Sequence, residues 1–216
     1  MPRITHVTAR EVFDSRGRPT VEAVVTCAGG RPCRAIAPAG ASTGAAEACE
    51  LRDGGSRLGG WGVRQAVENV RTEIANLLLG RDAFDQVEID RSLIELDGTA
   101  NKSRLGANSI LAVSVATAYA AASTFGRTPI EHFRSLWNKT KSSANTSQVV
   151  ASESEPREAE SSPLRVGQGP LLPLPMVNMI SGGKHAGGQL DFQDFLLMPV
   201  GATSFSQGLE WIITVY

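Results

Sequence analysis

The sequence predicts a two-part α/β protein. An α+β N-terminal part, built of a three-stranded antiparallel meander plus helices, precedes a shorter run of two strands and the start of a helix. Three observations support this: apolar residues alternate with polar ones near the N-terminus, they recur at helical spacing over residues 63–122, and the composition changes at residue 139. With 216 residues, 42% hydrophobic and 20% charged, the chain has the composition of a globular protein.

The meander is predicted from three strands and two turns. Residues 4–12 form the first strand, and a turn cluster occupies residues 14–19. The alternating segment 21–25 is the second strand, Gly29 lies in a hairpin turn, and residues 34–37 form the third strand. Because the connections are short, an antiparallel meander is the simplest topology.

Four helices are predicted to follow. The first ends before Gly80, because its apolar residues recur at steps of four, three, four and three. A shorter helix covers residues 84–96, a helix that is apolar or small on nearly every side covers 107–122, and a short amphipathic helix covers 130–137. The apolar face of the first helix consists of Val63, Val67, Val70, Ile74 and Leu77.

A disordered linker is predicted between the two parts. Residues 139–169 are rich in Ser, Glu, Pro and Gln, and they offer too little apolar surface to offset the entropy of ordering. Beyond them, residues 173–180 and 191–198 read as strands and residues 204–216 as the start of a helix. Two strands and a helix cannot close a sheet, so their apolar faces need a missing remainder or a partner.

Charge and cysteine content exclude several classes of function. The formal net charge of −1 favours neither nucleic-acid binding nor an anionic membrane surface. The first six residues lack the apolar core of a signal peptide, and no stretch is long and apolar enough to span a membrane. Cys27, Cys33 and Cys49 are scattered, which indicates a reducing compartment. We expect a cytoplasmic protein.

A glycine-framed loop at residues 38–44, here called loop 1, is the first candidate site. Glycine permits sharp bends and close approach of other groups, and such loops often carry function. Ser42 and Thr43 could ligate a hard cation such as Mg²⁺, donate to a phosphate, or cap a helix that begins near Ala45.

A second glycine-framed loop, loop 2, covers residues 182–188. His185 could bind phosphate, ligate a metal, transfer a proton, or serve only as a surface or packed residue. Asp191 and Asp194 are three apart on a predicted strand, so they should fall on opposite faces and not form a carboxylate pair. No Walker loop, GxGxxG, HExxH or nucleophile elbow is present, so both loops are candidate anion or cation sites.

Four groups of motifs run through the chain. They are Ala9-Arg10 with Asp14-Ser15-Arg16-Gly17 and Pro19-Thr20-Val21-Glu22; Gly40-Ala41-Ser42-Thr43-Gly44 with Glu47 and Glu50-Leu51-Arg52-Asp53; Leu96-Asp97-Gly98-Thr99 with Asn101-Lys102-Ser103 and Leu105-Gly106-Ala107-Asn108; and Leu174-Pro175 with Asn178, Gly182-Gly183, His185-Ala186-Gly187, Gln193 and Met198-Pro199-Val200-Gly201-Ala202. In this order they resemble the enolase family.

The resemblance implies a domain organisation. Residues 1–137 would form the enolase N-terminal domain, and residues 138–170 would be the linker. Residues 171–216 would form the incomplete start of an enolase-type α/β barrel, namely its first two strands and the start of a helix. The chain is therefore expected to be truncated in the C-terminal barrel.

The resemblance also implies an activity. Enolase, or phosphopyruvate hydratase, is a glycolytic lyase that reversibly dehydrates 2-phosphoglycerate to phosphoenolpyruvate by Mg²⁺-assisted proton abstraction. The implied partners are this substrate pair and a second subunit, in a homodimer or a mixed dimer with full-length enolase. The implied roles are catalysis for His185 and Asp194, substrate binding for Ala41, Thr43 and Gln193, and Mg²⁺ ligation for Ser42.

Three departures from the family pattern weigh against activity of residues 1–216 alone. Asp194 stands where the family has Glu, and Thr214 stands where the acid that assists hydroxide departure is expected. Threonine cannot protonate a leaving hydroxide at neutral pH. The base lysine and three metal carboxylates of the family would follow Tyr216. The alternatives are a non-catalytic enolase-like protein that pairs with full-length enolase, and an incomplete gene model.

Overall fold

The structure is a computed structural model that describes residues 2–38, 40, 44–147, 172–183, 187–188 and 190–216, with the backbone alone for residues 140–147. The chain divides into two compact units, Met1–Ser154 and Glu155–Tyr216, here called unit 1 and unit 2. Most of the predicted linker, residues 138–170, lies outside the described residues, so its disorder and the three-part division stay predictions.

The three-stranded antiparallel meander of unit 1 is confirmed. Strands β1 (Ile4–Phe13), β2 (Pro19–Cys27) and β3 (Cys33–Ile36) pair in that order, and the β2–β3 turn contains Gly29 at a φ of +73°. One face of the sheet is covered, because alternate residues of β2 are buried. They are Val21, Ala23, Val25 and Cys27.

The helices of unit 1 cover that face. Helices α1 (Arg64–Asn69) and α2 (Ala75–Leu78) are joined without a break by a π-helical turn, Val70–Ile74. The turn keeps Val70 and Ile74 buried, in line with the predicted apolar face.

Three longer helices follow, α3 (Gln86–Asp97), α4 (Ala107–Thr124) and α5 (Pro129–Ser147). Helix α4 packs on β2 and β3 and is buried along much of its length, as predicted. Gly98, at a φ of +69°, ends α3 in the left-handed conformation that glycine adopts without strain.

Two predictions in unit 1 were wrong in detail. No helix begins near Ala45, where the chain makes a turn, because residues 49–51 are already tied by hydrogen bonds to the start of α4. Helix α5 continues to Ser147 instead of ending near Trp137, since a polar composition does not prevent helix formation where no proline or glycine interrupts it.

No single helix among the described residues has the length and apolar character that a membrane crossing needs. Helix α4 and the first part of α5 meet that criterion only when they are joined, and they are bent by 107° at the break between them.

Unit 2 contains a hairpin and a helix. Strands β4 (Val177–Ser181) and β5 (Asp194–Leu197) pair antiparallel, and helix α6 (Phe205–Val215) begins at Ser204, whose hydroxyl accepts from the Gln207 amide at 3.2 Å. The two predicted strands and the helix are therefore present. Both strands are shorter than predicted. Before β4, Pro173 and Pro175 cannot donate to the ladder.

The apolar face of α6 is largely uncovered in unit 2. Ile212 is buried, whereas Ile213 is 73% exposed and Tyr216 is 90% exposed. Phe192 and Val200 are exposed as well. This agrees with the expectation that a hairpin and one helix cannot enclose a core.

Candidate functional site

The structure describes only part of the predicted site. Ala41, Ser42 and Thr43 of loop 1 and His185 of loop 2 lie outside the described residues, so their roles stay predictions. Gln193 and Asp194 are described, and both lie in the β4–β5 hairpin region of unit 2.

A hydrogen bond to the Glu47 side chain fixes the C-terminal end of loop 1. The Gly44 amide donates to the Glu47 carboxylate at 2.8 Å, and the Glu47 amide donates back to the Gly44 carbonyl at 3.2 Å. The pair closes a tight turn. Glu47 thus fixes where loop 1 ends, a role that its place in the motif did not reveal.

The segment after this turn is tied to the start of α4. The Cys49 amide donates to the Asn101 carbonyl at 2.6 Å, and the Cys49 carbonyl accepts from the Ala107 amide at 2.8 Å. Asn108, which is 3% exposed, accepts from the Leu51 amide at 3.2 Å and donates to the Leu51 carbonyl at 3.1 Å. Four hydrogen bonds therefore anchor the C-terminal base of loop 1.

Arg52 extends this anchor to the end of the first hairpin. Its guanidinium donates to the Pro19 carbonyl at 2.6 Å, to the Trp61 carbonyl at 3.0 Å and to the Glu50 carboxylate at 2.6 Å. Two guanidiniums lie over the Trp61 ring, with Arg18 at 4.9 Å and Arg52 at 5.5 Å from the ring centroid. These contacts bind residues 50–52 to a rigid part of the fold.

Two carboxylates stabilise the entrance to α1. Asp53 accepts from the amides of Arg64 and Gln65, both at 2.9 Å, and so caps the helix. Glu11 forms a two-point ion pair with Arg57 and accepts from the Val63 amide at 3.0 Å. The hydrogen bonds from Arg57 hold the pKa of Glu11 below its ordinary value.

The connection from α3 to α4 is organised by a buried carboxylate. Asp97 is 2% exposed, and it accepts from the Leu105 amide at 2.7 Å, from the Thr99 amide at 3.0 Å and from the Thr99 hydroxyl. Burial raises the pKa of this carboxyl, but the hydrogen bonds and the nearby Arg104 charge outweigh burial and lower the pKa. Asp97 therefore stabilises the fold as an anion.

Loop 2 is closed at its base by backbone hydrogen bonds. The Gly182 amide donates to the Gln193 carbonyl at 2.7 Å, and the Gly183 amide donates to the Leu190 carbonyl at 2.9 Å. A Cβ at Gly182 would overlap the Phe192 carbonyl oxygen, so only glycine fits there. The position of Gly182 in the motif thus has a steric explanation.

Asp194 is held in place by a neighbouring strand. The Asn178 side chain donates to the Asp194 carboxylate and to the Ser181 hydroxyl, at 2.7 Å each. Asp194 is the first residue of β5, and Asp191 precedes the strand, so the prediction that the two lie on opposite strand faces was wrong. Sequence reasoning quoted Asn178 in a motif but missed its contact with Asp194.

The remaining predicted residues make simpler contacts. Gln193 is exposed, and its backbone carbonyl closes the hairpin. Thr214 lies within α6, where its hydroxyl donates to the Glu210 carbonyl at 2.8 Å. This hydroxyl is used in the local helix bonding of α6.

A magnesium site is not formed by the residues that the structure describes. In that part of the chain, no group of three or more His, Cys, Asp or Glu side chains is arranged to hold a metal. The Asp194 carboxylate accepts from the Asn178 side-chain amide, and a divalent cation needs several oxygen ligands. The described residues therefore do not fit a complete Mg²⁺ site, and Ser42 as a ligand stays a prediction.

Comparison with known proteins identifies the family. Residues 4–133 match the enolase N-terminal domain family, and residues 170–216 match the enolase C-terminal TIM barrel domain family. Over its 216 residues, the chain is 47% identical to the protein named Enolase from Methanopyrus kandleri. The match covers 100% of this chain and 43% of that relative. Together with the meander, the buried α4 and the hairpin that opens the barrel domain, these matches show that the chain belongs to the enolase family.

Proposed function

We propose that this chain provides part of a phosphopyruvate hydratase site, for the reversible dehydration of 2-phosphoglycerate to phosphoenolpyruvate in the glycolysis of the cytoplasm. The observation that carries the proposal is the match to both enolase domains in the family's order, at 47% identity to a relative named Enolase. In this proposal loop 1, with Ala41, Ser42 and Thr43, closes over the substrate, and loop 2 places His185 beside the phosphate.

Asp194 and Gln193 would supply the substrate-facing groups of the hairpin. Asn178 donates to the Asp194 carboxylate at 2.7 Å, which orients it. The family has a carboxylate with one more methylene at this position, so Asp194 would act at a shorter reach. The family is generally Mg²⁺-dependent, but we assign no step through the metal, since the described residues do not form its site.

Thr214 is the weakest part of the catalytic assignment. Its hydroxyl is bonded to the Glu210 carbonyl, and a threonine cannot deliver a proton to a leaving hydroxide at neutral pH. The described residues also contain no cluster of three or more His, Cys, Asp or Glu side chains that could hold a metal ion. We therefore expect purified 1–216 alone to show no turnover of 2-phosphoglycerate in a coupled assay with Mg²⁺.

A chimera tests whether these residues belong to a catalytic site. Residues 1–216 would replace the segment that they match in the Methanopyrus kandleri enolase, which supplies the rest of the barrel. We expect Thr214→Glu to raise kcat of this chimera by about 100-fold, because a positioned general acid contributes roughly 10²–10⁴ in rate. Steady-state kinetics with 2-phosphoglycerate measures the change.

Thr214→Gln is the matched control, since glutamine has nearly the shape of glutamate but no acidic proton. It should leave kcat of the chimera at the level of the parent. Equal rates for the Glu and Gln variants would contradict the role of position 214, and turnover by 1–216 alone would contradict the incomplete site.

A second function is favoured by Thr214 itself. Thr214 replaces an acid, and its hydroxyl is hydrogen-bonded within α6. This favours a non-catalytic enolase-like protein that pairs with full-length enolase. The surface would include β1, an edge strand of the meander, where exposed Arg10 pairs with the buried Glu22 carboxylate at 2.7 Å.

Mixed dimers are the expected result of this second function. Size-exclusion chromatography of 1–216 with a full-length enolase should give a new peak that contains both chains. Arg10→Glu, which places two carboxylates together on β1 and β2, should remove that peak. Separate elution of the two unmodified proteins at micromolar concentrations would exclude pairing.

A further inference from the structure

A cavity of about 310 Å³ opens in unit 1 at the C-terminal end of α4. The beginning of β3, the last turns of α4 and the α4–α5 connection enclose it. We propose that this cavity binds a small phosphate-bearing anion, such as pyrophosphate or a phosphate monoester. The residues that carry the proposal are Arg31, Cys33, Arg34, Tyr119, Ser123 and Arg127.

The charge of the cavity is the first argument. Three arginines, Arg31, Arg34 and Arg127, line it, and no acidic residue does. The Arg127 guanidinium also lies 5.7 Å and 5.9 Å from the ring centroids of Phe84 and Phe125. Among the described residues, none of these three arginines forms an ion pair with a carboxylate, whereas seven other arginines do. They are Arg10, Arg16, Arg52, Arg57, Arg81, Arg91 and Arg104. Positive charge is therefore concentrated in this cavity without an acidic partner.

Glu131 is an acid that interacts electrostatically with Arg127, and its carboxylate is already hydrogen-bonded. Its carboxylate accepts from the Thr128 amide at 2.8 Å and from the Thr128 hydroxyl at 2.9 Å. The hydrogen bonds from Thr128 lower the pKa of Glu131, and the charge of Arg127 adds to that effect. Glu131 offsets the charge of Arg127 in part, and among the described residues neither Arg31 nor Arg34 forms an ion pair with a carboxylate.

The cavity wall also contains hydrogen-bond donors in defined orientations. Arg31 donates through Nε to the Ser123 hydroxyl oxygen at 3.1 Å, which holds its planar guanidinium at the cavity wall. The Ser123 hydroxyl hydrogen is thereby left to donate elsewhere. A guanidinium fork and a hydroxyl match the oxygens of a phosphate, which accept several hydrogen bonds at once.

The simpler explanation is that these cations only neutralise the end of α4. A helix C-terminus carries about −0.5 of a charge, whereas three guanidiniums carry three positive charges. Two of the terminal carbonyls already have partners: Ala122 accepts from the amides of Phe125 and Arg127 at 3.2 and 3.0 Å, and Ser123 accepts from the Gly126 amide at 3.1 Å. A surplus of positive charge therefore remains for an anion.

The size of the cavity selects the ligand class. Ligand pockets in proteins measure roughly 300–1,000 Å³, and this cavity is at the lower end. Small phosphate-bearing anions fit that volume, while an extended polyanion would not be enclosed. A dianion would be attracted by all three guanidiniums at once, and binding should weaken as salt screens them.

The reactivity of the Cys33 thiol can report the binding of an anion in this cavity, in the full chain. It is a free, half-buried thiol in the cavity wall, and Cys49 is a free, half-buried thiol at the opposite end of α4. At constant ionic strength, saturating pyrophosphate should slow alkylation of Cys33 by neutral iodoacetamide at least about threefold. Alkylation of Cys49, followed by mass spectrometry in the same sample, should not change.

Charge variants complete the test. The double variant Arg31→Gln/Arg34→Gln should lose the protection of Cys33, and Arg127→Gln should weaken it. Arg91→Gln, which removes an exposed guanidinium on α3, should behave as the parent chain. Circular dichroism of each variant verifies the fold.

Four outcomes would overturn the proposal. They are no protection by pyrophosphate, equal protection by potassium chloride at the same ionic strength, protection that persists in the double variant, and protection by a phosphopeptide but not by pyrophosphate.

Discussion

Replacement of Gly106 by alanine should destabilise unit 1 by about 3 kcal/mol, because the added methyl group is both strained and crowded. Gly106 has a φ of +94°, and an added Cβ would lie 2.6 Å from the Leu51 side chain and 3.2 Å from the Leu51 amide. A backbone atom cannot move aside cheaply. Leu51 would have to leave Asn108, and the anchor of loop 1 would be lost with it.

The Gly80→Ala variant separates the energetic cost of backbone strain from the cost of steric crowding. Gly80 has a φ of +80°, but nothing lies within 4 Å of an added Cβ there. This variant should cost only the backbone strain, about 1–2 kcal/mol. Urea denaturation followed by far-UV circular dichroism measures both losses. Equal losses for Gly80→Ala and Gly106→Ala would show that the contact with Leu51 carries no energetic weight.

Replacement of Asp97 by asparagine should destabilise unit 1 by about 2–4 kcal/mol at neutral pH. One carboxylate oxygen accepts from the Leu105 amide and the other from the Thr99 amide. An asparagine NH₂ must face one of these two donors in either orientation, so a buried N–H loses its acceptor. Asp85→Ala is the control: it removes an exposed helix cap at the start of α3 and should cost about 1 kcal/mol.

The effect of Asp97→Asn should shrink in acid. The pKa of Asp97 in the folded protein lies below its ordinary value of about 3.9, so its stabilising contribution is complete well above that pH. The contribution is lost as the pH falls through the lower, folded-state pKa. Denaturation of both proteins near pH 7 and below pH 3 measures the difference. A gap between them that widens in acid would contradict the assigned ionisation.

Local patterns in the sequence predicted most of unit 1. The alternation in β2 and the apolar surface of α4 are each encoded within a few residues, and both are confirmed by burial of Ala23 and Val113. The wrong prediction near Ala45 has a non-local cause, because residues 49–51 are held by partners beyond residue 100. No local propensity carries that information.

In the candidate site, too, the sequence pattern identified residues but not their non-local contacts. Motifs identified Asp97, Asn108 and Asn178 as members of a family pattern, and Asp194 as a departure from it. Their contacts could not be predicted, since each hydrogen bond depends on chain segments that meet only after folding. The roles of Ser42 and His185 remain predictions, because those residues lie outside the described part of the chain.

The position of Trp61 gives the molecule a natural optical reporter. The guanidiniums of Arg18 and Arg52 lie over its indole ring, and Arg52 also donates to the Glu50 carboxylate near the C-terminal base of loop 1. Nearby cations shift and quench indole emission, so rearrangement of this base should change the fluorescence. The other two tryptophans, Trp137 in α5 and Trp211 in α6, can be replaced by phenylalanine. The remaining signal would report on loop 1 without any attached dye.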